Sequence, residues 1–221
     1  MVSGNFAQLV HIPVDSVTLE GMLVIPPGAQ CVVVFAHGSG SSRHSPRNTF
    51  VAQVLRRAGL GTLLLDLLTK DEDASHETRF DIHLLARRLA ATTQWLRAHP
   101  HAQNLNIGYF GASTGAAAAL QAAATSGPLI GAIVSRGGRP DLACDALEQV
   151  HAPTLLIVGG RDAVVIELNQ QAYERLNAEK QLAIIPGATH LFEESGALEE
   201  VARLAKQWFR RYLEPQSTES P

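Results

Sequence analysis

The stretch that decides the fold reads LNIGYFGASTG from Leu105 to Gly115, and an alanine-rich run to Ala124 follows it. Its first six residues form an apolar β-type segment, and strong helix formers begin directly after Gly-x-Ser-x-Gly. A strand, a sharp turn and a helix in this order hold a serine at a strained corner with its hydroxyl above the sheet. The two glycines leave room for that corner, so Ser113 is the candidate nucleophile.

The short motif alone also arises by chance, so it needs support from the rest of the chain. The mechanism that uses such a serine requires an acid and then a histidine further along the chain. A β-type segment at 153–158 ends in Gly-Gly-Arg-Asp162, and another at 182–185 precedes the loop that carries His190. Both residues follow a strand's carboxyl end, where ligands bind in a parallel sheet. We predict Asp162 as the orienting acid and His190 as the general base; capping of the next helix is the alternative for Asp162.

Nine histidines are present, and only three lie at the expected ligand-binding edge: His37, His44 and His190. His37 is more simply explained as the organiser of its loop, Ala-His-Gly-Ser-Gly-Ser-Ser at 36–42. Developing charge on a substrate oxygen needs fixed donors, and we predict the backbone N–H groups of Thr114 and Ser39, with Gly40 as the alternative to Ser39. The alternative hypothesis is that this loop binds a phosphate group. However, the loop lacks the Gly-Lys-Ser/Thr ending of a P-loop and the spaced glycines of a dinucleotide-binding site.

Strands and helices alternate from residue 31 onward, which predicts an α/β fold with a mostly parallel sheet of about eight strands and helices on both faces. Two β-type runs, 7–14 and 17–25, precede this alternation and predict an antiparallel pair at the sheet edge. We expect one domain over residues 1–221 with a polar tail at 214–221. The predicted helices cover 48–58, 79–99, the segment after Gly115, a short segment ending near 147, 165–176 and 196–213, and the longest loop covers 68–78.

Composition excludes several classes of partner. The 221 residues carry a net charge of -3, which offers no basic face for nucleic acid, and no apolar run approaches the length of a membrane helix. The first residues lack the pattern of a secretion signal, so a cytoplasmic protein is expected. Two cysteines, Cys31 and Cys144, predict buried or incidental thiols rather than a disulfide framework.

Four motifs together resemble the α/β-hydrolases, and in particular the compact subset related to dienelactone hydrolase. They are the loop at 36–41, the Gly-x-Ser-x-Gly turn at 111–115, Gly-Gly-Arg-Asp at 159–162 and Pro-Gly-Ala-Thr-His at 186–190. The resemblance extends over nearly the whole chain and implies an α/β-hydrolase fold. Dienelactone hydrolase itself carries a cysteine nucleophile where this chain has Ser113, which favours a serine esterase over cleavage of dienelactone.

Members of this superfamily often carry a cap inserted before the strand that leads to the acid. Here only residues 136–150 separate two predicted strands, too few for a helical lid. We therefore expect no large cap domain and an open site for small or exposed acyl groups. Arg136 and Arg139 are candidate ligands of a substrate carboxylate, and solvation at the surface is the alternative for both.

The leading hypothesis is hydrolysis of a small-molecule carboxylic ester through an acyl-serine intermediate, without a metal or an organic cofactor. Thioesterase, lactonase or acyltransferase activity would use the same three residues. A binding protein that keeps the fold without turnover is an alternative from a different class. Metal-dependent hydrolysis is disfavoured because the sequence has no His-x-x-x-His pattern. We expect a monomer or a small homo-oligomer.

Overall fold

A computed structural model describes residues 6–215 and shows an α/β fold built on an eight-stranded sheet. The strand order is β1-β2-β4-β3-β5-β6-β7-β8; β1–β2 and β2–β4 pair antiparallel, and the other five pairs are parallel. The predicted antiparallel pair at one edge and the mostly parallel sheet are therefore confirmed. The strands are β1 Phe6–Val14, β2 Val17–Ile25, β3 Cys31–Ala36, β4 Gly61–Leu65, β5 Asn106–Ala112, β6 Ile130–Arg136, β7 Thr154–Gly159 and β8 Lys180–Ile185.

Helices cover both faces of the sheet, and each face has its own hydrophobic core. One core joins the sheet to α4, α5 and α6, and the other joins it to α1 and α7. Strands β3, β4 and β7 are buried at every position, as expected of strands with helices on both faces. The helices are α1 Pro46–Arg57, α2 Lys70–Asp73, α3 His76–Arg79, α4 Ile82–Ala98, α5 Thr114–Ser126, α6 Ala163–Arg175 and α7 Ala197–Leu213, with 3₁₀ segments at Gly127–Leu129 and Pro140–Gln149.

The sequence misplaced some boundaries around the longest predicted loop. Two short helices, α2 and α3, occupy most of residues 68–78. The long helix α4 begins at Ile82 rather than at residue 79, because the carboxylate of Asp81 accepts a hydrogen bond from the N–H of Leu84 and caps it. The segment before β7 is 3₁₀ and contains no large cap, as expected. Of the predicted tail, residues 216–221 lie outside the described part of the chain.

The carboxyl ends of six parallel strands meet at one edge of the sheet. There β3 leads into the loop at 37–45, β4 into the segment before α2, β5 into α5, and β6, β7 and β8 into three further loops. Cys31 is a buried free thiol in β3. Within residues 6–215, no helix combines the length and the apolar character needed to cross a lipid bilayer.

Candidate active site

Ser113 occupies the sharp corner between β5 and α5. Its backbone has φ 51° and ψ -121°, a conformation that non-glycine residues rarely adopt and that costs free energy unless the surroundings fix it. Both flanking glycines are required by close packing. A Cβ at Gly111 would lie 2.4 Å from the Cα of Ala116, and one at Gly115 would lie 2.3 Å from the carbonyl oxygen of Ala36. The Gly-x-Ser-x-Gly spacing therefore has a steric cause in this fold.

Strand β6 and the turn after it fix the backbone of the same serine. The N–H of Ser113 donates to the carbonyl oxygen of Arg136 at 3.2 Å, and the carbonyl oxygen of Ser113 accepts from the N–H of Arg139 at 3.1 Å. On the other side, Gly38 approaches so closely that a Cβ there would lie 3.1 Å from the Cβ of Ser113. These contacts compensate the strained backbone and hold the side chain at one place on the sheet edge.

The structure brings His190 and Asp162 together from two loops. Nδ1 of His190 lies 2.7 Å from Oδ2 of Asp162. Although Asp162 directly precedes α6 as its N-cap residue, its side chain makes no capping hydrogen bond, so the alternative role is not used. The imidazole comes from a tight turn in which the N–H of Phe192, at φ 57°, donates to the carbonyl oxygen of Thr189 at 3.2 Å. The carboxylate therefore orients the ring and engages Nδ1.

Ser113 and His190 line one cavity of about 160 Å³ at the sheet edge. Because Nδ1 is engaged with Asp162, Nε2 is the ring nitrogen available to the serine. Within residues 6–215, neither this nitrogen nor the hydroxyl of Ser113 hydrogen bonds to another protein group. Bonds between a base and a nucleophile are often long before substrate binds, and the shared cavity places both groups beside the same ligand space.

The loop after β3 is fixed by the ring of His37. Its Nε2 accepts the N–H of Leu67 at 3.2 Å, so Nδ1 carries the proton and donates to the carbonyl oxygen of Gly38 at 2.9 Å. The explanation of His37 as a loop organiser agrees with this geometry. Sequence reasoning found no partner for it, because Leu67 lies 30 residues away, just after the end of β4.

Of the two predicted oxyanion donors, the structure leaves one available and engages the other. Thr114 is the first residue of α5, and the N–H groups of a helix's first turn have no acceptor within the helix. The N–H of Ser39, however, donates to Oγ1 of Thr114 at 2.8 Å. The alternative donor, Gly40, does not line the cavity, whereas Ser39 does. The loop after β3 is thus attached to α5 through a threonine hydroxyl.

The two arginines considered in the sequence differ in environment. Arg139 is partly exposed and makes a forked ion pair with Asp141, with nitrogen–oxygen distances of 2.9 and 2.8 Å. Arg136 is only 6% exposed and lines the cavity. Burial, and secondarily the charge of Arg47, lower the pKa of its guanidinium to about 10, so it stays protonated at neutral pH. The ring of Phe192 lies 5.7 Å from its guanidinium carbon.

Sequence reasoning missed two residues that line the same cavity, Arg47 and Asn48. Both lie in the first turn of α1, which Ser45 caps through a 3.4 Å hydrogen bond from the N–H of Asn48. The signal was available in principle: Pro46 directly after a serine predicts a helix start, and this start follows the loop of β3. A helix that begins there presents its first turn to the site.

Comparisons with known proteins identify a matching family and similar folds. The model of the dienelactone hydrolase family matches residues 19–215. A crystal structure of dienelactone hydrolase from Anabaena variabilis is 56% identical, with a TM-score of 0.93 over 95% of this chain and 99% of that one. Est1E from Butyrivibrio proteoclasticus has a TM-score of 0.78 over 95% of this chain and 98% of its own, and at 18% identity it supports the fold alone.

A curated relative from Mycobacterium tuberculosis has a different kind of name. It is provisionally named a phosphoribosyl transferase and is 56% identical over 204 residues, which cover 92% of this chain. The chain spans 46% of the length of that relative. More than half of the longer protein therefore has no counterpart in the match.

Proposed function

Because the chain belongs to the dienelactone hydrolase family, we propose that it hydrolyses carboxylic esters of small or exposed acyl groups through an intermediate on Ser113. The observation that carries the proposal is the arrangement at the sheet edge. A serine on a strained strand-to-helix turn shares a cavity with an imidazole whose Nδ1 lies 2.7 Å from the carboxylate of Asp162. This is the set of groups that acyl transfer to a serine needs.

The proposed reaction proceeds in two halves. Oγ of Ser113 attacks the ester carbonyl while Nε2 of His190 takes the hydroxyl proton, and the Asp162 carboxylate stabilises the imidazolium. The tetrahedral intermediate collapses, the carbon–oxygen bond to the alcohol breaks, and His190 returns the proton to the leaving oxygen. Water then attacks the acyl-serine with His190 again as base, which releases the carboxylic acid and regenerates the hydroxyl.

The negative charge that develops on the carbonyl oxygen needs hydrogen-bond donors that stabilise it. We propose the N–H of Thr114, at the start of α5, as the first donor and the N–H of Ser39, in the loop after β3, as the second. For Ser39 this requires its hydrogen bond to Oγ1 of Thr114 to be released or shared when substrate binds. Thioester, lactone or acyl-acceptor chemistry would use the same groups, and the geometry of the described residues favours none of them over an ester.

The name of the Mycobacterium tuberculosis relative does not change this proposal. It belongs to a protein more than twice as long as the matched segment, whereas the hydroxyl, imidazole and carboxylate of this site favour acyl transfer. Phosphoribosyl transfer is accordingly not proposed for this chain.

Labelling with a serine-directed fluorophosphonate tests the proposal. We expect wild type to be labelled on Ser113 and to hydrolyse p-nitrophenyl acetate, and the Ser113→Ala variant to lose both properties. Ser126→Ala, at the far end of the same helix, serves as the matched control and should retain both. Turnover by Ser113→Ala equal to wild type would favour a binding protein with an adventitious surface reaction.

A further inference from the structure

Two arginines line the cavity beside Ser113, and within residues 6–215 one has no acidic partner while the other pairs only with an exposed glutamate. Arg136 is 6% exposed, and among residues 6–215 its guanidinium has no hydrogen-bond or ion-pair partner. Arg47 lines the same cavity, and no described residue hydrogen bonds to its buried Nε. A buried charge without a partner is costly, and native proteins rarely retain one without a use for it.

The contacts that these arginines do make are weak. Arg136 faces the ring of Phe192 at 5.7 Å, an interaction that stabilises the cation but supplies no negative charge. Arg47 reaches Glu193 at 3.3 Å, and the side chain of Glu193 is 66% exposed, so water screens that pair. Among the residues that the structure describes, no carboxylate lines the cavity itself. The two guanidinium groups repel each other, and the charge of Arg47 contributes to lowering the pKa of Arg136.

Uncharged polar groups complete the surroundings. Asn48 is 3% exposed and lines the cavity, and its buried Oδ1 has no hydrogen-bond partner in the described part of the chain. The hydroxyl-bearing residues Ser41 and Ser45 also line it. The position relative to the nucleophile is fixed by the sheet: Arg136 pairs with Ala112, the residue before Ser113, across neighbouring strands about 4.8 Å apart. An anion held there sits next to the reacting carbonyl.

We propose that this cavity is a subsite for a phosphoryl group on the substrate, so that the enzyme acts on small carboxylic esters that also carry a phosphate monoester. A phosphate monoester bears nearly two negative charges at neutral pH, which matches two cations in a lining without a carboxylate. Guanidinium forks bind pairs of phosphate oxygens with two parallel hydrogen bonds. A carboxylate, with one charge, would neutralise only one of the two arginines.

This inference rests on the proposed esterase function for the identity of the reaction, but not for the binding step. The phosphoryl group serves as a handle and its bonds stay intact; only the carboxylic ester bond breaks. Binding is therefore measurable without turnover, which separates the two proposals.

Calorimetric titration with phenyl phosphate and with benzoate provides the test. For wild type at pH 7.5 we expect phenyl phosphate to bind at least tenfold more tightly than benzoate. Arg136→Gln should weaken phenyl phosphate binding by roughly tenfold to a hundredfold, as the loss of hydrogen bonds to a charged group implies. Arg47→Gln should also weaken it, and Arg57→Gln, which removes the same charge from the far end of α1, should leave it unchanged.

Thermal melting distinguishes a ligand-binding arginine from a structural one. Without ligand, Arg136→Gln should melt at or above the temperature of wild type, since it removes an uncompensated buried charge. Phenyl phosphate should raise the melting temperature of wild type and not that of the variant. If Arg136→Gln fails to fold, its role is structural and the proposal falls.

Three further results would overturn the subsite: benzoate binding as tightly as phenyl phosphate, binding of neither by wild type, or equal weakening in Arg57→Gln and Arg136→Gln. Failure of the esterase proposal looks different. In that case Ser113 resists the fluorophosphonate while phenyl phosphate still binds in an Arg136-dependent manner.

Discussion

A chain of polar contacts behind the site yields a prediction about stability. Glu72 in α2 makes a forked ion pair with Arg88 in α4, with oxygen–nitrogen distances of 2.5 and 2.7 Å. Arg88 also donates to the carbonyl oxygen of Leu67 at 2.9 Å, and the N–H of Leu67 donates to His37, which holds the loop carrying Ser39. Glu72→Gln keeps the side-chain shape but leaves the charge of the buried Arg88 uncompensated.

The magnitude follows from the pKa of the carboxyl. The hydrogen bonds from Arg88, opposed by partial burial, lower the pKa of Glu72 from 4.5 to about 2. A lowering of about 2.5, at 1.36 kcal/mol per pKa unit, corresponds to about 3.4 kcal/mol. The side chain of Glu72 is 28% exposed, so we expect Glu72→Gln to reduce the free energy of unfolding by about 2 to 3 kcal/mol at pH 7.

The dependence on pH has a definite sign. The pKa of Glu72 is lowered on folding, so its contribution is complete above pH 4.5 and is lost as the pH falls towards 2. Wild type therefore loses this stability in acid, whereas Glu72→Gln has no carboxyl at that position to protonate. The difference between the two proteins should shrink steadily between pH 5 and pH 3.

Urea unfolding at pH 7, 5 and 3 measures these free energies. Glu200→Gln is the matched control, because Glu200 forms a similar forked pair with Arg203 on the exposed surface of α7 and should cost about 0.5 kcal/mol or less. The reasoning is refuted if the two variants lose equal stability at pH 7. It is also refuted if the loss in Glu72→Gln is as large at pH 3 as at pH 7.

Three further substitutions test the geometry of the site. Asp162→Asn should lower kcat for p-nitrophenyl acetate by about 10³- to 10⁴-fold with unchanged circular dichroism, because the imidazole loses its orienting carboxylate; a loss below tenfold contradicts the assigned role. Thr114→Val should lower the free energy of unfolding by about 1 kcal/mol more than Thr114→Ser does in urea titrations, because only serine keeps the acceptor for the N–H of Ser39; equal costs in the two variants refute that role. Gly115→Ala should unfold the protein or lower its free energy of unfolding by more than about 3 kcal/mol in urea titrations, because the new Cβ would lie 2.3 Å from the carbonyl oxygen of Ala36. The control Gly28→Ala, at φ 75° with no atom within 4 Å of the new Cβ, should cost about 1 kcal/mol. Similar costs for the two variants would contradict the steric explanation.

The sequence determined the fold and the identity of the three candidate catalytic residues. Alternating strands and helices, with an apolar strand running into Gly-x-Ser-x-Gly, already define a parallel sheet and a nucleophile turn. Asp162 and His190 followed from their positions after strands, because all parallel strands present their carboxyl ends at one edge. These inferences use local patterns and one topological rule, and neither requires knowledge of side-chain contacts.

The tertiary structure alone decided which polar groups are paired. The sequence treats Arg136 and Arg139 alike, yet Arg139 forms an ion pair with Asp141, whereas Arg136 is buried and has no ion-pair partner among residues 6–215. Likewise, nothing local links Ser39 to Thr114 or Glu72 to Arg88. Such pairings depend on strand order and on how helices pack across 16 to 75 residues of chain. Short-range sequence patterns determine the backbone conformation. The burial of a polar side chain and the identity of its hydrogen-bond partner are determined only when segments distant in sequence pack together and exclude water.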